Sequence, residues 1–267
     1  MFDNFVTRFY PGATDSSPTA IFSDLYALDR TSKLIEYLND FFDYSGPTAA
    51  GTSGGWILTG AGSAGLTAGN GGQLLLTSPV STFQSLQKTP TFLQMASGYR
   101  GWGKIIQKLD SLLGNTLTGM VNVTAAPFTG GQITDGVWFT TDVTTGQVKG
   151  NIATAGTVQT VDLGVQIIAG QFYQLAWYYD GEVYSSPTGK VIFEVITAPN
   201  NGGVVPPTAG VTASARASIT PIAANPAATL LAPIIAVNAS TAVARNLTTD
   251  LFYVSQDRTP INQTPPF

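Results

Sequence analysis

From Trp56 onward the chain is written in short units: a few apolar or aromatic residues, then Gly, Pro, Asn or Asp, then another run. Trp56-Ile57-Leu58-Thr59, Gln73-Leu74-Leu75-Leu76-Thr77, Gly136-Val137-Trp138-Phe139-Thr140, Gln171 to Tyr179 and Lys190 to Thr197 are such units. Interruption at this spacing predicts strands joined by turns, and hence an all-β sandwich or barrel. In one unit Tyr173, Leu175, Trp177 and Tyr179 alternate with Gln174, Ala176 and Tyr178. That is the period of a strand with one side on a core. Asp180-Gly181 follows it, a favourable two-residue hairpin turn.

Two segments carry a helical spacing instead. Leu34, Ile35, Leu38, Phe41 and Phe42 form an amphipathic stripe with Thr31 or Ser32 as N-cap, which predicts a short α-helix. Ile105, Ile106, Leu109, Leu112 and Leu113 repeat the stripe, closed by Gly114 in the position that ends helices.

Charge divides the chain. Residues 1–43 hold Asp3, Asp15, Asp24, Asp29, Glu36, Asp40 and Asp43 against Arg8, Arg30 and Lys33, a net of −4, while the remainder sums to zero. At Ser45-Gly46-Pro47 this start gives way to Gly- and Thr-rich sequence without an acid until Asp110. The expected organisation is an acidic arm over 1–43, a β domain over 44–258 and a Pro-rich tail over 259–267. Asn200 to Gly210 reads as a long loop. In the arm, Phe2, Phe5, Phe9 and Tyr10 are aromatic anchors that pack either on their own domain or on a neighbour. Deleting residues 1–40 is expected to leave the β domain folded.

Composition removes whole mechanisms. There is no His and no Cys, which excludes a Ser-His-Asp triad, a thiolate nucleophile, disulfides, zinc knuckles and iron–sulfur ligation. No metal or cofactor is expected. Charged residues are 10% of the 267 against roughly 25% in an average soluble domain. A surface so poor in charge suits a protein that stays packed in an assembly. The twelve basic residues are scattered without a run, so nucleic acid is not expected as a partner. Met1 to Tyr10 lacks the pattern of a secretion signal, and Ala227 to Val237 is too short for a membrane span and contains Pro233. A soluble protein is expected. The sequons at Asn122, Asn238, Asn246 and Asn262 follow from an Asn- and Thr-rich composition.

Three patterns resemble chemistry. Gly60-Ala61-Gly62-Ser63-Ala64-Gly65 fits GxGxxG, but Leu66 to Gly72 is not a helix and no acid follows at the ribose-binding distance, so a β-loop is expected. Sandwich glycosidases need two carboxylates. Glu36 lies in the arm, Glu182 follows a turn and Glu194 is mid-strand, so these and Asp180 are read as structural or solvated acids. Tyr99, Trp102, Trp138, Trp177, Tyr178 and Tyr179 offer sugar-stacking surface only if they face solvent, and alternating aromatics in strands favour the core. No catalytic residue is assigned.

The order of several segments resembles a family of tailed-phage head proteins, the decoration, cement or minor capsid proteins with a concanavalin-like jelly-roll domain. The resemblance runs over roughly residues 41–258. It rests on Phe41-Phe42-Asp43, Trp56-Ile57-Leu58-Thr59-Gly60, Gly72 to Thr77, Gly136-Val137-Trp138-Phe139, Tyr178-Tyr179-Asp180-Gly181 and Leu251 to Arg258. The acidic arm with its short helix lies outside the resemblance, which implies a jelly-roll β-sandwich and a strand over Trp102 to Leu113. The family often places an acid there, where this chain has Gln107 and Lys108. It further implies a non-enzymatic virion protein, made in the host cytoplasm, that binds a major capsid protein and itself, as a homotrimer, on the head surface. Phe2, Phe5, Phe9 and Tyr10 would supply the interface. The alternative is a carbohydrate-binding module of a phage tail or appendage.

Overall fold

A computed structural model describes residues 34–39, 41, 44–67, 72–89, 91–95, 99–112, 114–181, 190–197, 214–219, 229–239 and 243–257. Phe2, Phe5, Phe9, Tyr10, the loop 200–210 and the tail 259–267 lie outside the described residues. The strands in chain order begin with β1 (Leu34–Asn39), β2 (Gly51–Ser53), β3 (Trp56–Gly60), β4 (Ser63–Thr67) and β5 (Gln73–Ser78). There follow β6 (Phe83–Lys88), β7 (Arg100–Leu109), β8 (Asn115–Val121), β9 (Gly136–Thr141), β10 (Gln147–Thr154) and β11 (Thr157–Gln166). The last are β12 (Phe172–Asp180), β13 (Lys190–Thr197), β14 (Ser214–Ile219), β15 (Ala232–Asn238) and β16 (Arg245–Asp257).

They form two antiparallel sheets. The first runs β14-β13-β12-β7-β16-β5-β4, with β1 also paired to β16. The second runs β11-β10-β9-β8-β15-β6-β3-β2. The chain crosses between sheets at β1 to β2, β3 to β4, β5 to β6, β6 to β7, β7 to β8, β11 to β12, β14 to β15 and β15 to β16. The two layers therefore close one sandwich.

Alternation decides which side chains enter it. Ile105 and Leu109 of β7, Tyr173, Leu175, Trp177 and Tyr179 of β12, and Val191, Phe193 and Val195 of β13 are buried in the shared core. Met120, Val137, Phe139, Val148 and Ile152 answer from the second sheet. Phe139 and Phe193 meet edge to face across the layers, 5.3 Å apart at 84°. Two inward glycines make room for rings. A Cβ on Gly103 would lie 2.1 Å from Trp177 Nε1, and one on Gly150 would lie 2.4 Å from the Phe193 ring.

Gln107 also points inward. It donates to the Tyr173 hydroxyl at 2.7 Å and accepts from the Thr118 hydroxyl at 2.9 Å, a buried polar bridge between the sheets. This accounts for an amide where the resembling family often has an acid: a neutral group serves both partners here without burying a charge.

The five strands read from the sequence are present as β3, β5, β9, β12 and β13. Both helical readings are corrected. Leu34–Asn39 is β1, paired to β16 from Leu34↔Asp257 to Asn39↔Phe252. Arg100–Leu109 is the central strand β7, as the resemblance implied. Short apolar runs match both periods, and here the open edge along β16 and the gap between β12 and β16 supply ladder partners that a local pattern does not show. The two-residue turn is corrected as well: Asp180 pairs with Lys190, so the connection spans residues 181–189. Because β1 belongs to the first sheet, deleting residues 1–40 would remove one of its strands. Tyr37 packs on Trp56 at 6.3 Å and on Phe92 at 5.6 Å, beneath Lys88 Nζ at 5.8 Å from its ring.

Candidate functional site

With the odd residues of β7, β12 and β13 inward, the even ones line the outward side of the first sheet, and the register sets them in rows. One row reads Ser218, Ile192, Tyr178, Trp102 and Ser255. The next reads Arg216, Glu194, Ala176, Lys104 and Tyr253. Trp102 and Tyr178 pack ring against ring, 5.6 Å apart at 34°, and Arg100 lies over Trp102 at 5.7 Å. Lys108 lies over Phe172 at 4.7 Å.

In the second row Ala176 separates an acid from an amine. Strands are about 4.8 Å apart, so Glu194 and Lys104 stand roughly 10 Å from each other over this small residue. Burial pushes the Glu194 carboxyl up to about 7, with Arg216 opposing the shift. Burial also lowers the Lys104 ammonium to about 8.

Three polar atoms on this side have no hydrogen-bond partner among the described residues: Trp102 Nε1, Ser255 Oγ and Glu194 Oε1. Their residues are 0%, 0% and 2% exposed. Trp102 and Ser255 are register partners, and Glu194 lies one row on and two strands away. Each such atom costs roughly 1–3 kcal/mol while unpaired. The rest of the chain shuts these atoms off from water, so the accessible part of this side is made by the half-buried Arg100, Lys104, Tyr178 and Tyr253 and the exposed Arg216.

Among the described residues no two acids stand as a hydrolytic pair. Retaining and inverting glycosidases hold two carboxyls about 5–5.5 Å or 6.5–9.5 Å apart. The neighbours of Glu194 on the outward side are Arg216, Ala176, Ile192 and Ile196. Asp180 sits at a strand end opposite Arg100 and Lys190, and Glu182 and the Glu36 side chain lie outside the described residues. No group of acids that could hold a metal occurs among the described residues. Gly60 ends β3 and Ser63 opens β4, so the GxGxxG segment spans a strand-to-strand corner with no helix N-terminus for a phosphate. No helix among the described residues is long and apolar enough to cross a membrane.

Of the aromatics singled out from sequence, Trp177 and Tyr179 are in the inter-sheet core. Trp102 and Tyr178 form the outward pair. Trp138 faces away from that core and joins a second apolar cluster with Leu117, Ile133 and Ile234 on the outward side of the second sheet. Tyr99 is half-buried beside β7. The row of Arg216, Glu194 and Lys104 was not legible, since it draws on three strands far apart in sequence. Reading Arg100, Trp102, Lys104 and Lys108 as every second residue of one strand was the available signal.

The sequence matches no protein-family profile and no curated protein. The fold has solved relatives. Peanut lectin superposes with a TM-score of 0.55 at 11% identity, over 84% of this chain and 97% of the lectin. An endo-1,3-β-glucanase from Streptomyces sioyaensis gives 0.51 at 14%, over 86% and 99%. Arcelin-5, a lectin-like defence protein from Phaseolus vulgaris, gives 0.51 at 9%, over 84% and 99%. Identities this low establish the concanavalin-like sandwich and nothing finer.

Proposed function

We propose that the protein is a non-catalytic carbohydrate-binding sandwich that holds a glycan across β12, β7 and β16 on the outward side of the first sheet. The observation that carries this reading is the pair of half-buried rings, Tyr178 of β12 and Tyr253 of β16, set on either side of β7 with its half-buried Arg100 and Lys104. A saccharide presents ring faces to aromatics and hydroxyls that accept from cationic groups. The fold is compatible, since lectins share it. Among the described residues no second carboxylate neighbours Glu194 in the strand register, which favours binding without hydrolysis.

The resemblance to phage head proteins supplies the competing assignment: capsid decoration by a homotrimer, with Phe2, Phe5, Phe9 and Tyr10 on the capsid. It rests on the order of sequence segments, with the virion as location.

Isothermal titration against a panel of neutral and acidic oligosaccharides tests the proposal. Tyr178→Ala removes one accessible ring and Tyr253→Ala the other. Each is expected to weaken the bound glycan about 5- to 30-fold, as loss of a stacking contact of about 1–2 kcal/mol requires. Binding that neither change weakens, or saturable binding to capsids with no glycan bound, would overturn it.

A further inference from the structure

The second sheet carries a separate pocket on its own outward side, about 240 Å³ in volume. Leu117 of β8, Trp138 and Thr140 of β9, Asn151 of β10 and Val158 of β11 form its floor, and the loop 127–133 forms one wall. The wall is held in place from below. Gln87 donates to Asn122 O at 3.1 Å and accepts from Thr124 N at 3.0 Å. Asn122 in turn donates to Gln132 O at 3.1 Å and accepts from Thr134 N at 2.9 Å. Phe128 rests on Phe83, 6.2 Å between rings. The pocket is therefore formed before a ligand arrives.

Its chemistry is narrow. No charged side chain lines it, and aliphatic and aromatic side chains predominate. Asn151 is already engaged, donating to Thr140 Oγ1 at 3.0 Å and accepting from the Thr160 hydroxyl at 2.7 Å. Thr140 accepts there and keeps its own proton to give. The wall adds the Thr129 hydroxyl and the Gly130 and Gly131 amides, which donate to no group among the described residues. The volume is below the roughly 300–1,000 Å³ of sites for drug-sized ligands, so it holds one ring. An uncharged ligand with an apolar face, a small apolar substituent and an acceptor oxygen fits all of these.

We infer that this pocket binds a single uncharged N-acylated pyranose residue. The ring lies against Trp138, the acyl methyl sits among the apolar side chains and the acyl oxygen takes the Thr140 hydroxyl. This site lies on the opposite layer from the first-sheet surface and does not depend on it.

Titration of the full chain with methyl N-acetyl-β-glucosaminide, methyl β-glucoside and methyl β-glucuronide tests it. The acylated sugar should bind at least 10-fold more tightly than the other two. Gly130 lines the pocket, and a Cβ there meets nothing within 4 Å. Gly130→Leu therefore keeps the fold while crowding the pocket and should lower affinity at least 10-fold, with Gly130→Ala as control. Thr140→Val should also weaken the acylated sugar, while Tyr178→Ala and Tyr253→Ala leave it unchanged. Equal affinity for the glucoside, or binding indifferent to both Gly130→Leu and Thr140→Val, would overturn the inference without bearing on the first-sheet surface.

Discussion

Glu194 lies on the outward side of β13 with its carboxyl shielded from water, and burial pushes its pKa up to about 7 from an ordinary 4.5. Between those values the folded chain holds a proton that the unfolded chain has released. The neutral acid's contribution to stability is therefore full below about pH 4.5 and is lost as pH rises through about 7. Thermal midpoints should fall across this window, and Glu194→Gln, which is neutral throughout, should flatten that slope. An unchanged slope would mean that the carboxyl is hydrated in the folded protein. Sequence placed Glu194 in mid-strand and as structural, but its burial and the guanidinium of Arg216 opposite depend on β14, and pairing across strands leaves no trace in the spacing of either one.

At the scale of elements, β7 shows what periodicity can and cannot decide. Its apolar residues satisfy a helical stripe, yet Gly101 and Gly103 alternate with Trp102 and Lys104 and fit a strand that must admit a ring. Trp177 fills the space that Gly103 leaves. Gly103→Ala should cost about 1–3 kcal/mol by overpacking, measured as a lower denaturant midpoint with unchanged m-value. Wild-type stability would show that Trp177 has room to move. The strands from Trp56 onward were legible because turn residues bound them and apolar residues alternate within them. β1 was not, because only the exposed edge of β16, more than two hundred residues away in sequence, makes its backbone a ladder.

For the whole molecule, the all-β sandwich was legible and its binding surfaces were not, since rows and pockets are properties of register between distant strands. The arm divides accordingly. A chain starting at residue 34 keeps β1, Tyr37 and Phe41, and should melt like the full protein. A chain starting at residue 44 loses the buried Phe41, which stabilises by about 1.5–3 kcal/mol, and the half-buried Tyr37, and should melt at least about 3 °C lower. Equal midpoints would show that β1 contributes nothing to the first sheet. β16 carries a further consequence. It alone joins β7 to β5 and β1, and it is the last strand described in the chain. During synthesis the first sheet therefore stays in three pieces until the ribosome has delivered β16. Folding of that layer is dominated by distant pairings, and it is slow for that reason. Until it closes, the unpaired edges of β7 and β5 are open to other nascent chains, so the yield of folded protein should depend on how crowded the cell is with its own unfinished copies.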